Sequence, residues 1–145
     1  MRSLCVGLAV AGALLACSSV NDVAAGAKAS LDRHQAQWGQ RTFTSYSFDL
    51  SQLKSGSTSN VHIIVNGTTI VNVTDKNTGM PPTVDVGYPT IDDLFARAQA
   101  AFGQKSTTLQ MEFNEQYGYP TLLATNTTTS TPPYTATVSS FAPTP

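Results

Sequence analysis

The sequence predicts an α+β fold in which an antiparallel sheet of about six strands carries two helices on one face. Two stretches place apolar residues three or four positions apart, as amphipathic helices do. Each helical stretch is followed by three short stretches that are rich in alternating or β-branched residues, as half-buried strands are. The predicted order is therefore α-β-β-β-α-β-β-β, and this grouping of strands favours an antiparallel sheet with its helices on one side.

The first helix is predicted from about Asn21 to Gly39. Asn21 can act as the N-cap, and Asp22 suits the positive end of the helix dipole. Gly39 supplies a stop. The face of the helix that is predicted to pack on the sheet consists of Val20, Val23, Ala24, Ala27, Leu31, His34 and Trp38.

A strand is predicted from about 42 to 53, because large apolar side chains alternate there with serine and aspartate. The polar residues 54–60 are predicted to form a loop. The apolar side chains that define the strand are Tyr46, Phe48 and Leu50.

The second and third strands are predicted to form a hairpin. Val61, Ile63 and Val65 alternate along the second strand, and residues 69–74 form the third. The dipeptide at 66–67 is Asn-Gly, which favours a type I′ turn because both residues tolerate positive φ. The connection that follows, residues 75–89, is long for a compact domain, and such connections are often functional.

The second helix is predicted to begin after Thr90, which can cap it, and to end at Gly103. Asp93 occupies the position that completes a capping box. Three further strands are predicted over 107–114, 119–125 and 134–141. The two halves of the chain thus share one element order, and we state an internal duplication as a hypothesis.

Residues 1–16 have the features of a signal peptide. Arg2 is followed by an uncharged apolar run from Leu4 to Leu15, which is shorter than the ~20 residues that a membrane-spanning helix needs. The run ends in Leu14-Leu15-Ala16-Cys17, which resembles the lipobox of bacterial lipoproteins. That resemblance implies cleavage after Ala16, diacylation of Cys17 and acylation of the new amino terminus.

The predicted organisation follows from this anchor. Residues 1–16 are removed, 17–20 form the lipidated cysteine and a short tether, 21–142 form one globular domain, and 143–145 form a tail. Stable anchoring needs two or more acyl chains, which a lipobox cysteine carries. The expected location is therefore the extracytoplasmic side of the cell membrane or the outer membrane. Cys5 lies in the removed segment, so the mature chain is expected to have no disulfide.

Composition limits the classes of partner. Charged residues make up 12% of the chain and the formal net charge is −1. No basic stripe is present, so nucleic acid is not expected as a partner. The two histidines lie apart, no acidic residues cluster, and Asp92 and Asp93 suit a helix start. The sequence shows no catalytic, cofactor-binding or metal-binding motif, and we therefore predict that the protein is not an enzyme and needs no cofactor or metal.

Several features together resemble a group of bacterial lipoproteins that is catalogued only as a domain of unknown function. The most specific are Thr90-Ile91-Asp92-Asp93-Leu94-Phe95 and Tyr117-Gly118-Tyr119-Pro120; the others are the lipobox, Trp38, the Tyr-x-Phe-x-Leu strand and the Val65-Asn66-Gly67 hairpin. The resemblance covers roughly residues 38–141. It implies an envelope location and a compact single domain, and it implies no activity.

Three residues outside the lipobox have alternative interpretations. Tyr117 and Tyr119 either form an aromatic contact patch or begin a strand, with Gly118 at positive φ in the turn; the second interpretation is favoured. His34 is expected to be half-buried and hydrogen-bonded to the backbone. His62 is expected to face solvent.

The sequence therefore favours a non-enzymatic envelope lipoprotein that binds a protein or a glycan. One alternative is a carrier of a small apolar ligand held between the helices and the sheet. The other is a hydrolase whose site the sequence does not reveal.

Overall fold

The computed structural model describes residues 20–83, 86–104, 107–127 and 133–144. Two helices and six strands follow one another in the order that the sequence predicts, and the α+β fold class is confirmed. Their bounds are α1 Val20–Gly39, β1 Ser45–Lys54, β2 Ser57–Asn66, β3 Thr69–Asp75, α2 Ile91–Phe102, β4 Thr107–Phe113, β5 Pro120–Thr127 and β6 Tyr134–Thr144.

The six strands form one antiparallel sheet in the order β3-β2-β1-β6-β5-β4, so β1 and β6 are central and β3 and β4 are the edges. The two helices pack on each other, and α2 packs on β4 and β5. Residues at alternate positions of the strands are buried beneath the helices, as expected for a sheet with one covered face. The fully buried side chains of this core include Leu31, Trp38, Tyr46, Phe48, Leu50, Val61, Ile63, Ile91, Leu94, Phe95 and Leu123.

The core shows which ends of the elements lie together. The Trp38 ring, in the last turn of α1, lies 5.3 Å from the Tyr46 ring at the start of β1. The Tyr46 hydroxyl also accepts a long hydrogen bond, 3.4 Å, from the backbone N–H of Ile91 at the start of α2. We call this end of the domain, where Trp38, Tyr46 and Ile91 meet, the groove end, because a surface groove lined by Gln37, Arg41 and Tyr117 lies beside it. The start of α1 points to the opposite end, since α1 ends here.

The β1–β2 connection is tighter than predicted. The predicted loop over 54–60 is wrong, because Lys54 pairs with Ser57 and only two residues lie between the strands. Ser55 and Gly56 both have positive φ, 52° and 80°, as a type I′ turn requires. The Ser and Thr residues of 57–60 obscured the start of β2, because they lack the apolar alternation that reveals a strand.

The β2–β3 hairpin is present, but its turn is displaced by one residue. Asn66 pairs with Thr69, so the two central residues are Gly67 and Thr68. Only Gly67 has positive φ, 63°, which matches the requirement of a type II′ turn and not of the predicted type I′.

The last strand runs beyond the predicted end at 141. Pro143 and Thr144, which the sequence assigned to a tail, pair with Tyr46 and Ser45 of β1. The register shifts between Ser47 and Asp49 of β1, opposite Ser140, whose φ is 51°. This β-bulge inserts one residue into β6. As a result Phe141 faces the helices, where it stacks on Tyr119 at 4.5 Å between ring centroids.

The capping of α2 confirms the prediction from the sequence. The Thr90 hydroxyl accepts a hydrogen bond from the Asp93 backbone N–H, and the Asp93 carboxylate accepts one from the Thr90 backbone N–H. Both interactions satisfy groups that a helix start would otherwise leave unpaired.

The 75–89 connection is long because β3 ends and α2 begins at opposite ends of the domain. β3 ends at Asp75, opposite Val61, whereas α2 begins at the groove end. The connection is held by Lys54, whose Nζ donates to the backbone oxygen of Val86 at 2.6 Å. Pro89 is buried at its end.

The topology argues against an internal duplication. Each half is a three-stranded meander, but β6 of the second half pairs antiparallel with β1 of the first. To superpose β1, β2 and β3 on β4, β5 and β6, a rotation must reverse the strand direction but keep the strand order. Such a rotation turns the sheet over, so it would place the second helix on the opposite face. Both helices lie on the same side, so the halves are related by reflection, which no chain of L-residues can reproduce by duplication.

Candidate functional site

The turn between β4 and β5 is fastened to the end of α1. The Asn114 side-chain oxygen accepts hydrogen bonds from the backbone N–H groups of Gln116 and Tyr117, at 3.0 and 2.8 Å. Gln37 on α1 donates through Nε2 to the backbone oxygens of Glu115 and Gln116, at 2.8 and 3.2 Å. Because hydrogen bonds from both Asn114 and Gln37 hold the turn, it is a rigid part of the domain.

Gly118 allows the turn to approach α1. Its φ is 81°, and a Cβ built at this position would lie 2.6 Å from the backbone oxygen of His34. Real Cβ atoms essentially never make contacts under 3.0 Å. The positive φ that the sequence predicted for Gly118 is confirmed, and the close contact with α1 is a second reason for glycine here.

The structure separates the two tyrosines of the predicted contact patch. Tyr119 is 7% exposed and belongs to the core, and burial, followed by the proximity of Tyr117, raises the pKa of its hydroxyl. Tyr117 is half-exposed and meets the Phe43 ring edge-on, with the centroids 5.4 Å apart. Of the two rings, only that of Tyr117 is available to a partner.

Beneath Tyr117 lies a cluster of aromatic rings that no single strand or helix supplies. Trp38 is at its centre and makes edge-to-face contacts at centroid separations of 5.3–6.2 Å. Such contacts stabilise beyond the area that they bury, by roughly 0.5–1.5 kcal/mol for each pair. The rings in contact with Trp38 are those of Phe43, Tyr46, Tyr119 and Phe141.

Arg41 covers this cluster on the solvent side. Its guanidinium lies 4.2 Å above the Trp38 ring centroid, a cation–π arrangement, and Nη1 donates to the Trp38 backbone oxygen at 3.0 Å. Nη2 lies 3.5 Å from the Asp92 carboxylate, at the limit of a hydrogen bond. Nε is buried and has no hydrogen-bond partner among the described residues. Arg41 is therefore a half-buried cation that is only partly neutralised.

Arg41, Phe43 and Tyr117 line a surface depression of about 370 Å³, which we call the Tyr117 groove. Its volume is near the lower limit of the ~300–1,000 Å³ that is usual for ligand sites. The lining combines two aromatic rings, a guanidinium, the hydroxyls of Thr42 and Tyr117, and three side-chain amides. The lining residues are Gln37, Gln40, Arg41, Thr42, Phe43, Gln116 and Tyr117.

The two histidines have different environments. His34 is 8% exposed, its Nδ1 lies 2.8 Å from the backbone oxygen of Ser30, and its ring stacks on Phe113 at 4.2 Å. The prediction of a backbone-bonded, half-buried histidine is thus confirmed in its hydrogen bond, although the burial is more complete. His62 is part of a charged cluster on the open face of the sheet.

Asp49 is the centre of that cluster, and sequence reasoning missed it. His62 Nδ1 donates to one Asp49 oxygen at 2.8 Å, and Lys76 Nζ donates to the other. Asp49 is only 8% exposed. Burial raises the pKa of the carboxyl, but the hydrogen bonds from Lys76, His62 and Ser140 outweigh this effect and lower the pKa overall. Asp49 and His62 are cross-strand partners, which only the strand register reveals. The cluster pairs its charges internally, and we assign it to stability.

A second depression of about 370 Å³ lies against the edge strand β3, and we call it the β3 groove. It is lined by Ile70, Val71, Asn72, Val73, Pro81, Pro82 and Tyr88. Val71 is 58% exposed, so apolar surface is available in this groove. The carrier hypothesis expected a ligand between the helices and the sheet, but at that interface Leu31, Leu94 and Phe95 are fully buried. The β3 groove is at the edge of the sheet.

The family model of DUF6174, a family of unknown function, matches residues 30–143. The chain belongs to this family. The DUF6174 match begins one residue before Leu31, the first buried residue of α1 that the structure describes, and it ends inside β6. It therefore includes the whole core and every residue of the Tyr117 groove. No curated protein and no solved structure matches the chain significantly.

The predicted anchor lies outside the DUF6174 match. Residues 1–19, which include Ala16 and Cys17, also lie outside the residues that the structure describes. The same is true of most of the threonine-rich segment after β5. In the described part of the chain, no helix is long and apolar enough to cross a membrane. In the same part, no three His, Cys, Asp or Glu side chains are grouped as metal ligands.

Proposed function

We propose that this DUF6174 protein is a bacterial envelope lipoprotein that works as a non-enzymatic binding module. In this proposal, acyl chains on Cys17 hold it to a membrane, and the Tyr117 groove binds an envelope protein or glycan. The observation that carries the proposal is the half-exposed Tyr117 ring, fixed beside the partly neutralised Arg41 on a turn that is hydrogen-bonded to α1.

The path of α1 supports this arrangement. The side chains from Ala25 to Ser30 are exposed or half-exposed, and Leu31 is buried. The helix axis from Val20 to Leu31 is about 16 Å long, at about 1.5 Å for each residue. If Cys17 is in the membrane, this part of α1 spaces the core from the bilayer. It adds to a tether that the sequence alone suggested would be very short.

The groove is then at the far end of the domain from the membrane. α1 ends beside Tyr46 and the aromatic cluster, while its first residue follows the anchor by three positions. A binding surface at this end meets other envelope components and not the lipid headgroups. This orientation is consistent with the low charge of the protein, since adsorption to anionic lipid depends on clustered basic residues.

The anchor is tested by the intact mass of the full chain from a membrane fraction, for wild type and Cys17→Ser. We expect the wild type to be cut after Ala16 and to carry acyl mass, and the variant to lack it. A soluble wild-type protein without acyl mass would remove the membrane from the proposal.

The groove is tested by sedimentation of the full chain, kept in detergent, with envelopes from cells that lack the protein. Detergent has first removed the lipids of these envelopes, so the acyl chains alone cannot bind them. We expect Tyr117→Ala to reduce the bound fraction at least five-fold. Tyr88→Ala makes the same change at the β3 groove and should retain binding, and thermal unfolding of both variants shows that they are folded. Equal binding of the wild type and Tyr117→Ala would refute a role for the Tyr117 groove.

The second candidate function is the carriage of a small apolar ligand in the β3 groove. It is favoured by the apolar walls of that groove and by the exposure of Val71. Titration with a fluorescent fatty acid tests it, with Val71→Ser as the variant. Saturable binding that Val71→Ser weakens would support the carrier, and the same titration on Tyr117→Ala provides the matched control.

A further inference from the structure

The Tyr117 groove combines an aromatic ring, free side-chain amides and an incompletely paired cation. From this combination we propose that the groove binds a saccharide that carries a carboxylate. The inference rests on the proposed function and names the class of ligand for the same site.

The ring of Tyr117 provides the surface on which a pyranose can pack. The face of an aromatic ring carries negative charge density, and the C–H bonds on one face of a pyranose present weak positive charge to it. Tyr117 is half-exposed, and its edge-to-face contact with Phe43 fixes the direction of the ring. The turn that carries it is bonded to Gln37, so little side-chain entropy is lost when a ligand binds.

The amides around the ring match sugar hydroxyls. Gln40 and Gln116 are exposed, and among the described residues their side chains have no hydrogen bond. Each amide offers two donors and an acceptor oxygen, and a sugar hydroxyl both donates and accepts. Gln37 already uses Nε2 in the turn, which leaves its carbonyl oxygen as an acceptor in the groove.

Arg41 supplies the charge preference. A guanidinium has five N–H donors. Among the described residues, this one makes one short bond, to the Trp38 backbone oxygen, and one contact at 3.5 Å, to Asp92. Its planar donors suit a carboxylate, which they can bind through two parallel hydrogen bonds. Since the side chain is 19% exposed, a carboxylate reaches it from the groove side.

The lining favours a saccharide over an apolar peptide segment. An apolar anchor would need a pocket with apolar walls, and here four of the seven lining side chains are amides or a hydroxyl: Gln37, Gln40, Thr42 and Gln116. A mostly polar wall that carries the rings of Phe43 and Tyr117 fits a polyhydroxylated ring that also has an apolar face.

Trp38 gives a direct readout of binding, because it is the single tryptophan of the chain and Arg41 lies on its ring. The experiment titrates the detergent-purified, acylated full chain and follows Trp38 fluorescence. The two probes are the disaccharide of N-acetylglucosamine and N-acetylmuramic acid, which has a carboxylate, and N,N′-diacetylchitobiose, which lacks it.

We expect the acidic disaccharide to shift the emission saturably and the neutral one to bind at least ten-fold more weakly. Arg41→Lys keeps the charge but loses the planar fork and should weaken the acidic ligand about ten-fold, as followed by calorimetry because the variant alters the Trp38 environment. Tyr117→Ala should remove binding of both probes, Tyr117→Phe should retain it, and Tyr88→Ala should leave it unchanged.

Three results would overturn the inference: no binding of either disaccharide, equal affinity for both, or equal losses in Tyr117→Ala and Tyr88→Ala. Failure here is distinct from failure of the proposed function. If envelope sedimentation still depends on Tyr117 while neither disaccharide binds, the saccharide is excluded and the groove holds another class of partner. If sedimentation is also independent of Tyr117, the binding function of the groove itself is refuted.

Discussion

Replacing Gly118 with alanine measures how tightly the Tyr117 turn is held against α1. An alanine at φ 81° costs about 1–2 kcal/mol, because Cβ approaches the following carbonyl oxygen. The new Cβ would also lie 2.6 Å from the His34 backbone oxygen and 3.0 Å from Gln37 Cβ. Relief of this overlap requires α1 or the turn to shift, and overpacking of this kind costs about 1–3 kcal/mol. We therefore expect Gly118→Ala to lower the free energy of unfolding by about 2–5 kcal/mol, the sum of the two terms.

The assay is urea and thermal unfolding followed by circular dichroism, where this loss corresponds to roughly 6–25 °C in Tm for a domain of this size. Gly56→Ala is the matched control. Gly56 has nearly the same φ, 80°, but no heavy atom lies within 4 Å of its Cβ position. The control should lose only the backbone term of about 1–2 kcal/mol. If Gly118→Ala loses no more than Gly56→Ala, the turn is not packed against α1 as described.

Three further predictions concern stability. Asp49→Asn should lower the free energy of unfolding at pH 7 by about 2 kcal/mol, because it weakens charge-assisted hydrogen bonds. Since the folded pKa of Asp49 is lowered, this contribution is present above the unfolded pKa of about 4 and is lost as the pH falls through the folded pKa. Urea unfolding should therefore show a smaller difference between variant and wild type at pH 3 than at pH 7. Burial raises the pKa of Tyr46 and Tyr134 to about 12, so these groups should not change the stability below about pH 10 and should lower it as the pH rises from about 10 to 12. The variant with Phe at both positions should show a smaller fall in alkaline unfolding curves. An unchanged slope would contradict the raised pKa of the two tyrosines. Ser55→Asn should raise the free energy of unfolding by about 0.5 kcal/mol, because Asn-Gly is the preferred type I′ pair and Ser55 has a φ of 52°; a loss of stability in urea would contradict the type I′ assignment.

The features that the sequence predicted correctly are those that depend on residues close together in the chain. The capping box of Thr90 and Asp93 involves two positions three residues apart, so its pattern is visible in the sequence. The same holds for the positive φ of Gly118. The start of β2 was missed because its first four residues, Ser57 to Asn60, are polar, and their strand conformation depends on pairing with β1.

The candidate site was predictable only in part, because its residues are brought together by the fold. The Tyr-Gly-Tyr sequence drew attention to the turn, but the separation of Tyr117 from Tyr119 follows from the packing of that turn on α1. Arg41 is three residues from Trp38, and that spacing is a local signal for the cation–π contact. Nothing in the sequence indicated that the carboxylate of Asp92, about fifty positions later, would lie beside the Arg41 guanidinium.

Ser140 connects the charged cluster around Asp49 with the aromatic cluster around Trp38. The sequence contains no signal for the conformation of Ser140. A serine at φ 51° is uncommon, so the surrounding structure must stabilise it. On the open face, the Ser140 side chain hydrogen-bonds to Asp49. On the covered face, the extra residue turns Phe141 inward against Trp38 and Tyr119.

The charged cluster and the aromatic cluster therefore stabilise the same bulge from opposite faces of the sheet. Without the bulge, Phe141 would face solvent by the simple alternation of a strand. Its ring would then no longer support Tyr117 in the groove wall, which it contacts at a centroid distance of 5.6 Å. The geometry of the groove thus depends on Asp49, which is on the other face of the sheet. A residue that the sequence presents as an ordinary polar position of β1 thereby helps to determine the shape of the site.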